Sequence, residues 1–318
     1  MRKQFILSLI LLLTAWMPLD FAWADNPAQS TAPSVPAASA GASAQAPEGA
    51  LYRVKSQGHT AYLFGTIHVG KSEFFPLEPQ VTQAFAKAEV LTVEFDISDT
   101  AAVQQAVFKY ALYPDFGTIE KHVSPKTLER LKKALATLGL PYEGVSHMKP
   151  WMAANLLLIA SLEKQGYPAS LATDSYFINA AKDQGKSIVG LESADFQLGL
   201  FDKLPAKEQE AYLTDCLSDL ESGTVAKKNQ DLLDAWEHAD EKAYEGLLAE
   251  ARNDKSVSGR FFYRELLLAR NPAMADKIAQ LIKDHDNSFV AVGLMHLTGK
   301  EGVPQLLQKK GFEVERIY

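Results

Sequence analysis

Apolar residues recur along this chain in two rhythms. Short runs rich in β-branched and aromatic side chains alternate with longer stretches in which leucine and alanine return every three or four positions. The short runs read as strands: YRVKS and TAYLFG around Gln57-Gly58, then VLTVEF (90–95), SIVGL (187–191), SFVAV (288–292) and FEVERI (312–317). Several are apolar throughout, as expected of strands covered on both faces.

Between them the period is helical. Ser124-Pro125 supplies a cap and a first-turn proline, Leu128, Leu131, Leu135 and Leu138 share one face, and Gly139 with Pro141 ends the segment. The same spacing predicts helices over 101–112, 151–165, 174–184, 206–221, 226–251, 258–270, 272–284 and 301–310. The stretches 97–186 and 195–287 are therefore helical throughout and too long for simple crossovers. The expected fold is α/β: a central mixed, largely parallel sheet with flanking helices and large helical insertions forming a cap over one end.

The domain is expected to begin near Leu51 and run to residue 318. Ahead of it, Arg2 and Lys3, the apolar run Phe5 to Trp16 and Ala22-Trp23-Ala24 read as a secretory signal cleaved after Ala24. Pro18 and Asp20 interrupt that run short of the roughly 20 apolar residues a bilayer span needs. Residues 25–50 are rich in Pro, Ala and Ser, with too little apolar surface to offset the entropy of ordering, and are expected to form a disordered linker. The mature chain is expected in the periplasm or outside the cell. A hydrophobic content of 47% leaves ample material for one large core.

Charge and cysteine content narrow the function classes. The net charge is −7 with histidines neutral, and removing residues 1–24, with two basic and one acidic side chain, makes it −8. Scattered acidity of this size argues against nucleic acid or an anionic membrane as partner. Cys216 is the only cysteine, so no intrachain disulfide contributes. No G-x-S-x-G elbow, P-loop, G-x-G-x-x-G, H-E-x-x-H or C-x-x-C occurs, which places serine hydrolase, nucleotide, nicotinamide and thiol-redox chemistry behind other readings.

Chemistry concentrates at strand ends. Gly65-Thr66-Ile67-His68 and Gly293-Leu294-Met295-His296 repeat one pattern after two apolar runs, and Glu94 and Glu192 end two others. Ligands of open α/β sheets bind beyond the carboxyl ends of the strands, so these four side chains can meet without local spacing. Two histidines and two carboxylates suit a metal hydrolase. Gly65 and Gly293 are expected to permit positive φ or a close backbone approach. Glu192 has a second reading as a charge at the N-terminus of the helix beginning at Ser193. Asp174 likewise suits a first helical turn or a supporting place behind the site. Of Arg264 and Arg270, the latter has two readings, a helix-end dipole partner or a cation steadying an oxyanion. Asn271-Pro272 reads as the cap and first residue of the next helix. His59, His122, His147, His238 and His285 lie in turn-like or helical polar contexts and are assigned no role.

At YLFGTIHVG, PLEPQVTQAFAKAEVLTVEFD, GKSIVGLESADFQL, LLLARNPAMADKIAQLI and FVAVGLMHLTGKEGVPQLLQKKGFEVERI the chain resembles the TraB/PrgY/GumN family, in its exported GumN-like branch. That family is similar to the Tiki metalloproteases and is grouped with erythromycin esterases and haem-binding ChaN proteins. The resemblance carries two G-x-x-H motifs, a glutamate after the first and an arginine before the second, here Gly65 with His68, Glu94, Arg270, and Gly293 with His296. It also implies a role for Glu192 in GLES and Asp174 as an acidic neighbour. Leu294-Met295 departs from the small residue usual there and is expected to narrow a pocket wall.

The expectation drawn from residues and resemblance together is an exported metal-dependent hydrolase acting on a peptide or small molecule. His68, His296 and Glu192 or Glu94 would hold a divalent ion (Zn, Mn, Co or Fe), the other carboxylate would act as base, and Arg270 would stabilise negative charge. The rival expectations are a non-catalytic haem-, metal- or peptide-binding protein of ChaN type and a TraB-type interaction protein.

Overall fold

The computed structural model describes residues 46–318; the expected signal and most of the expected linker lie outside the described residues. The chain runs β1 (Ala50–Ser56), β2 (His59–Thr66), α1 (Pro79–Lys87), β3 (Val90–Val93), α2 (Thr100–Ala106), α3 (Pro125–Leu138), α4 (Pro150–Lys164), α5 (Thr173–Asp183) and β4 (Ser187–Gly190). It continues through α6 (Ala194–Asp202), α7 (Ala206–Glu221), α8 (Thr224–Glu237), α9 (Glu241–Asn253), α10 (Val257–Phe261), α11 (Asn271–Asp284), β5 (Asn287–Gly293), α12 (Val303–Lys309) and β6 (Glu313–Arg316).

The strands form a six-stranded sheet in the order β4-β3-β5-β2-β1-β6. β4, β3, β5 and β2 are mutually parallel, whereas β1 is antiparallel to both neighbours. The sheet is therefore mixed and largely parallel, as the apolar runs predict. Gln57 and Gly58 both take positive φ, the backbone that lets a two-residue loop turn β1 into β2. β5 enters the sheet last among the parallel strands and slots between β3 and β2, so the ends of β2, β3, β4 and β5 lie side by side.

Strand alternation divides the core in two. Phe64, Phe289 and Ala291 face one layer, where Phe64, Phe85, Phe177 and Phe289 pack ring against ring at centroid distances of 4.8–6.2 Å. Leu63, Val290 and Val292 face the other, against Met274, Ala275 and Ile278 of α11 and Val303 and Leu307 of α12. Burial on both faces explains why Phe289 to Val292 of β5 read as an unbroken apolar run. The helical insertions carry their own aromatic cluster, with Trp151 stacked on Phe201 at 4.9 Å and Phe201 against Phe261 at 4.8 Å.

Some local expectations are corrected. β4 is an edge strand with Ser187, Val189 and Gly190 exposed, although its sequence reads as a covered strand. The stretch 226–251 is two helices, because Ala239 takes positive φ and Asp240 caps α9 by accepting from Ala243 N–H at 3.0 Å. α1 is an additional helix that the apolar spacing does not announce. The expected helices 101–112 and 258–270 each begin as α and continue as π turns, Val107–Ala111 and Phe262–Leu268.

Candidate functional site

The chain leaves the parallel strands with His68 two residues beyond β2, Glu94 one beyond β3, Glu192 two beyond β4 and His296 three beyond β5. All four side chains are held by specific partners. Asp174, in the first turn of α5, accepts from Thr66 Oγ1 at 2.6 Å with Oδ1 and pairs with His68 Nδ1 at 2.8 Å through Oδ2. A carboxylate only accepts, so Nδ1 of His68 carries a proton, which leaves Nε2 as the free nitrogen of the neutral ring. His296 is fixed in the same way: its Nδ1 lies 2.6 Å from Asn271 Oδ1, while Asn271 Nδ2 donates to the Glu301 carbonyl at 2.8 Å. The second bond sets which end of the amide faces the ring. In its neutral form each imidazole therefore carries its lone pair on Nε2, the form a metal ligand or base requires.

Those atoms converge at the end of β5. A methyl group added to Gly293 would sit 3.0 Å from Glu94 Oε1, 3.3 Å from His68 Nε2 and 3.7 Å from His296 Cδ2. His296 Nε2 is fully buried, has no hydrogen-bond partner and lies 3.7 Å from Glu94 Oε1. Burial pushes its pKa down to about 3, against the pull of Glu94, so the ring is neutral. Burial opposes the charged form of His68 too, but Asp174 outweighs it and raises the pKa.

Glu94 is fastened on both oxygens. Oε1 accepts from Gly293 N–H at 2.9 Å, and Oε2 accepts from Arg270 Nη2 at 2.5 Å and Gln197 Nε2 at 3.0 Å. Burial would raise the pKa of this carboxyl; Arg270, the two histidines and the Gly293 amide overcome it and hold it far below the usual carboxylate range. Glu192 binds Arg270 through both oxygens, with Nε at 3.0 Å and Nη2 at 2.7 Å, and also accepts from Gln197 at 2.8 Å. It does not cap α6, since Ser193 does so by accepting from Phe196 N–H. Arg270 thus lies between the two glutamates, Glu94 faces the histidines and Glu192 faces the arginine.

Arg270 owes its position to the π turn before it. Its backbone N–H bonds Leu267 O at 3.1 Å instead of the Leu266 carbonyl an α-helix would use, and Leu266 O accepts from Arg270 Nη1 at 2.9 Å. The irregular turn frees a carbonyl that steers the guanidinium inward. Arg264, on the same turn, is exposed. Asn271, next to Arg270, supports His296 rather than capping α11 with its side chain, a correction to the sequence reading.

The two glycines act through space, not φ. Neither Gly65 nor Gly293 takes positive φ. At Gly65 a Cβ would stand 2.9 Å from Leu294 Cδ1, so the missing side chain lets the chain after β5 pack on β2. Leu294 and Met295 belong to the hydrophobic core. Cys216 is buried in α7, and burial pushes its thiol pKa up, away from any nucleophilic use. Gln197 belongs to no motif, and Asn271 only to a helix cap; the fold alone brings them to the strand ends.

Among the described residues no three His, Cys, Asp or Glu side chains stand at the spacing of a closed coordination shell. The donor chemistry nonetheless fits a cation. His68 Nε2, Glu94 Oε1 and the His296 ring surround one small space, and at this site the acids Glu94, Glu192 and Asp174 outnumber the one arginine, Arg270. Replacing Asn271 with alanine is expected to free the His296 ring and to weaken binding of a divalent ion about 10–100-fold, with the circular dichroism spectrum unchanged. Gly293→Ala is expected to crowd Glu94 and His68 and to reduce activity more than thermal stability, read from turnover and Tm on the same preparation.

An α/β domain with imidazoles and carboxylates gathered at the ends of parallel strands is the class of molecule defined here. The chain belongs to the TraB/PrgY/gumN family, whose family model matches residues 50–316. It is 28% identical over 250 residues to the uncharacterized protein YbaP of Escherichia coli (strain K12), spanning 78% of this chain and 87% of that protein. It is 23% identical over 310 residues to the metalloprotease TIKI homolog of Nematostella vectensis, spanning 81% of this chain and 64% of that protein. Against metalloprotease TIKI1 of Danio rerio the identity is 24%, over 80% of this chain and 60% of the relative. No solved structure matches the chain.

Proposed function

We propose that this protein is an exported metal-dependent hydrolase acting on peptides. The convergence of His68 Nε2, Glu94 Oε1 and the His296 ring at Gly293, with each Nδ1 already engaged, carries the reading. Its similarity to proteins named metalloproteases supports the peptide substrate. His68, His296 and Glu94 would hold the ion, whose chemistry when bound is to polarise a carbonyl and lower the pKa of water. Glu192 does not share that space; it holds Arg270 beside Glu94, and Gln197 donates to both glutamates. Arg270, whose charge the two glutamates already offset, would act by keeping Glu94 ionised and in place rather than by balancing an oxyanion directly. Asp174 and Asn271 keep both histidines in the tautomer that can bind.

Export follows from the residues 1–24 reading, and among the described residues no helix is long and apolar enough to cross a membrane. Elemental analysis of protein purified without chelator is expected to find about one divalent ion per chain, and peptide cleavage is expected to vanish on chelation and return with Zn, Mn, Co or Fe. Protein that cleaves peptides with the ion removed would refute the metal reading. A chain that binds an ion or haem and never turns over a peptide library would instead be a binding protein.

A further inference from the structure

The two edges of the sheet are finished differently. β6 carries Glu313, Glu315 and Arg316; Arg316 pairs with Glu241, and Gln308 Nε2 donates to the Val314 carbonyl at 3.3 Å. Charges and side-chain hydrogen bonds of this kind are how natural sheets keep other strands away. β4 has neither device. Its sequence, Ser-Ile-Val-Gly, contains no charge and no proline, and Val189 is 42% exposed. The charge next to it in sequence, Lys186, is turned back, with Nζ donating to the carbonyls of Ala86 at 3.1 Å and Ala88 at 2.5 Å, and Lys277 Nζ reaches only the Leu191 carbonyl beyond the strand's end.

The direction of the β4 backbone follows from one bond. Leu191 N–H donates inward to Val93 O at 2.8 Å. Because successive residues of a strand turn their N–H and C=O groups to opposite sides, Ser187 and Val189 face β3 while Ile188 and Gly190 present theirs to the open edge. An edge with such groups outward and no charged guard is a template for another strand.

We propose that β4 is the docking strand for an extended peptide, which adds to this edge as a seventh strand and is led from it to the strand-end site. This rests on the peptidase reading above. A peptide is favoured over a second copy of the chain because β4 points directly at the site, with Glu192 two residues beyond its end. A four-residue edge is also too short to build the roughly 1,000 Å² a stable dimer contact needs. Strands lie about 4.8 Å apart, so a strand outside β4 is about 14 Å from the line of β5 and His296, which an extended chain crosses in about four residues. The scissile bond should therefore lie about four residues from the docked segment.

The probe is an acetylated peptide containing Thr-Val-Thr-Val within a Gly-Ser context, offered to the full chain with its metal removed, so that docking is scored without turnover. Hydrogen exchange is expected to show new protection at the amides of Ile188 and Gly190. Methylating alternate backbone nitrogens of the Thr-Val segment is expected to abolish binding. Val189→Lys, at an exposed position, is expected to weaken binding at least about tenfold while the fold survives. Unchanged exchange at 188 and 190, or equal binding by the N-methylated peptide, would overturn the proposal even if the Val189 variant failed to fold. So would a concentration-dependent dimer that protects the same amides without peptide. Cleavage by the metal-loaded protein with β4 unprotected would sink the docking alone, whereas docking without cleavage by any metal form would sink the peptidase reading alone.

Discussion

Replacing Arg270 with methionine is expected to lower the stability of the folded chain by about 3–5 kcal/mol, because it leaves the buried carboxylates of Glu94 and Glu192 without their shared cation. For a domain of this size that corresponds to a fall in Tm of roughly 6–20 °C. The two acids make different demands. Glu94 keeps the Gly293 amide and Gln197 as donors after the change, while Glu192 keeps only Gln197 among its side-chain partners. Adding Glu192→Gln to Arg270→Met is therefore expected to recover part of the lost Tm, since it removes one unpaired buried charge. The measurement is a four-way comparison of thermal unfolding among the parent, both single variants and the double variant. Strictly additive losses would mean that Glu192 and Arg270 do not act on one another through this network.

The second large effect is expected at the histidines. His68→Ala and His296→Ala should each abolish bound divalent ion and reduce peptide cleavage by at least about a thousandfold, since each removes one lone pair from a set of three. Their effects on folding should differ. His296 is wholly buried, so alanine there opens a cavity and strands the Asn271 carbonyl oxygen, whereas the His68 side chain is about 10% exposed and leaves Asp174 still bonded to Thr66. His296→Ala should cost about 2–4 kcal/mol and His68→Ala distinctly less. Stoichiometry by elemental analysis, turnover and Tm measured on the same preparations separate the two roles. Full metal content in either variant would place the ion elsewhere.

Much of the architecture was legible from local pattern. The β-branched runs at 90–95 and 288–292 are largely apolar because strands buried on both faces have no polar side, and the structure puts Val290 and Phe289 in opposite cores. Ser124, Pro125 and Gly139 bounded α3 because cap chemistry is local: Ser124 accepts from Thr127 N–H and Gly139 takes φ 77°. Elsewhere local pattern misled. SIVG reads as a covered strand, and only the strand order shows that it lies on the edge. The π turn before Arg270 leaves no mark in a leucine spacing that reads as an ordinary helix.

For the site, residue type and position at a strand end made His68, Glu94, Glu192 and His296 the candidates, because a parallel sheet collects the ends of its strands on one side, while Arg270 entered from a helix end and the family resemblance. Which atom meets which was decided by the tertiary structure alone. Glu94 faces the histidines because β3 neighbours β5, and Glu192 meets Arg270 because β4 lies one strand further out. Asn271 and Gln197 entered the site from helices distant in sequence, where an amide's value depends on the partner at each end. A sequence specifies such groups, but only the folded chain supplies the ångström-scale geometry on which hydrogen bonds and charge pairs depend.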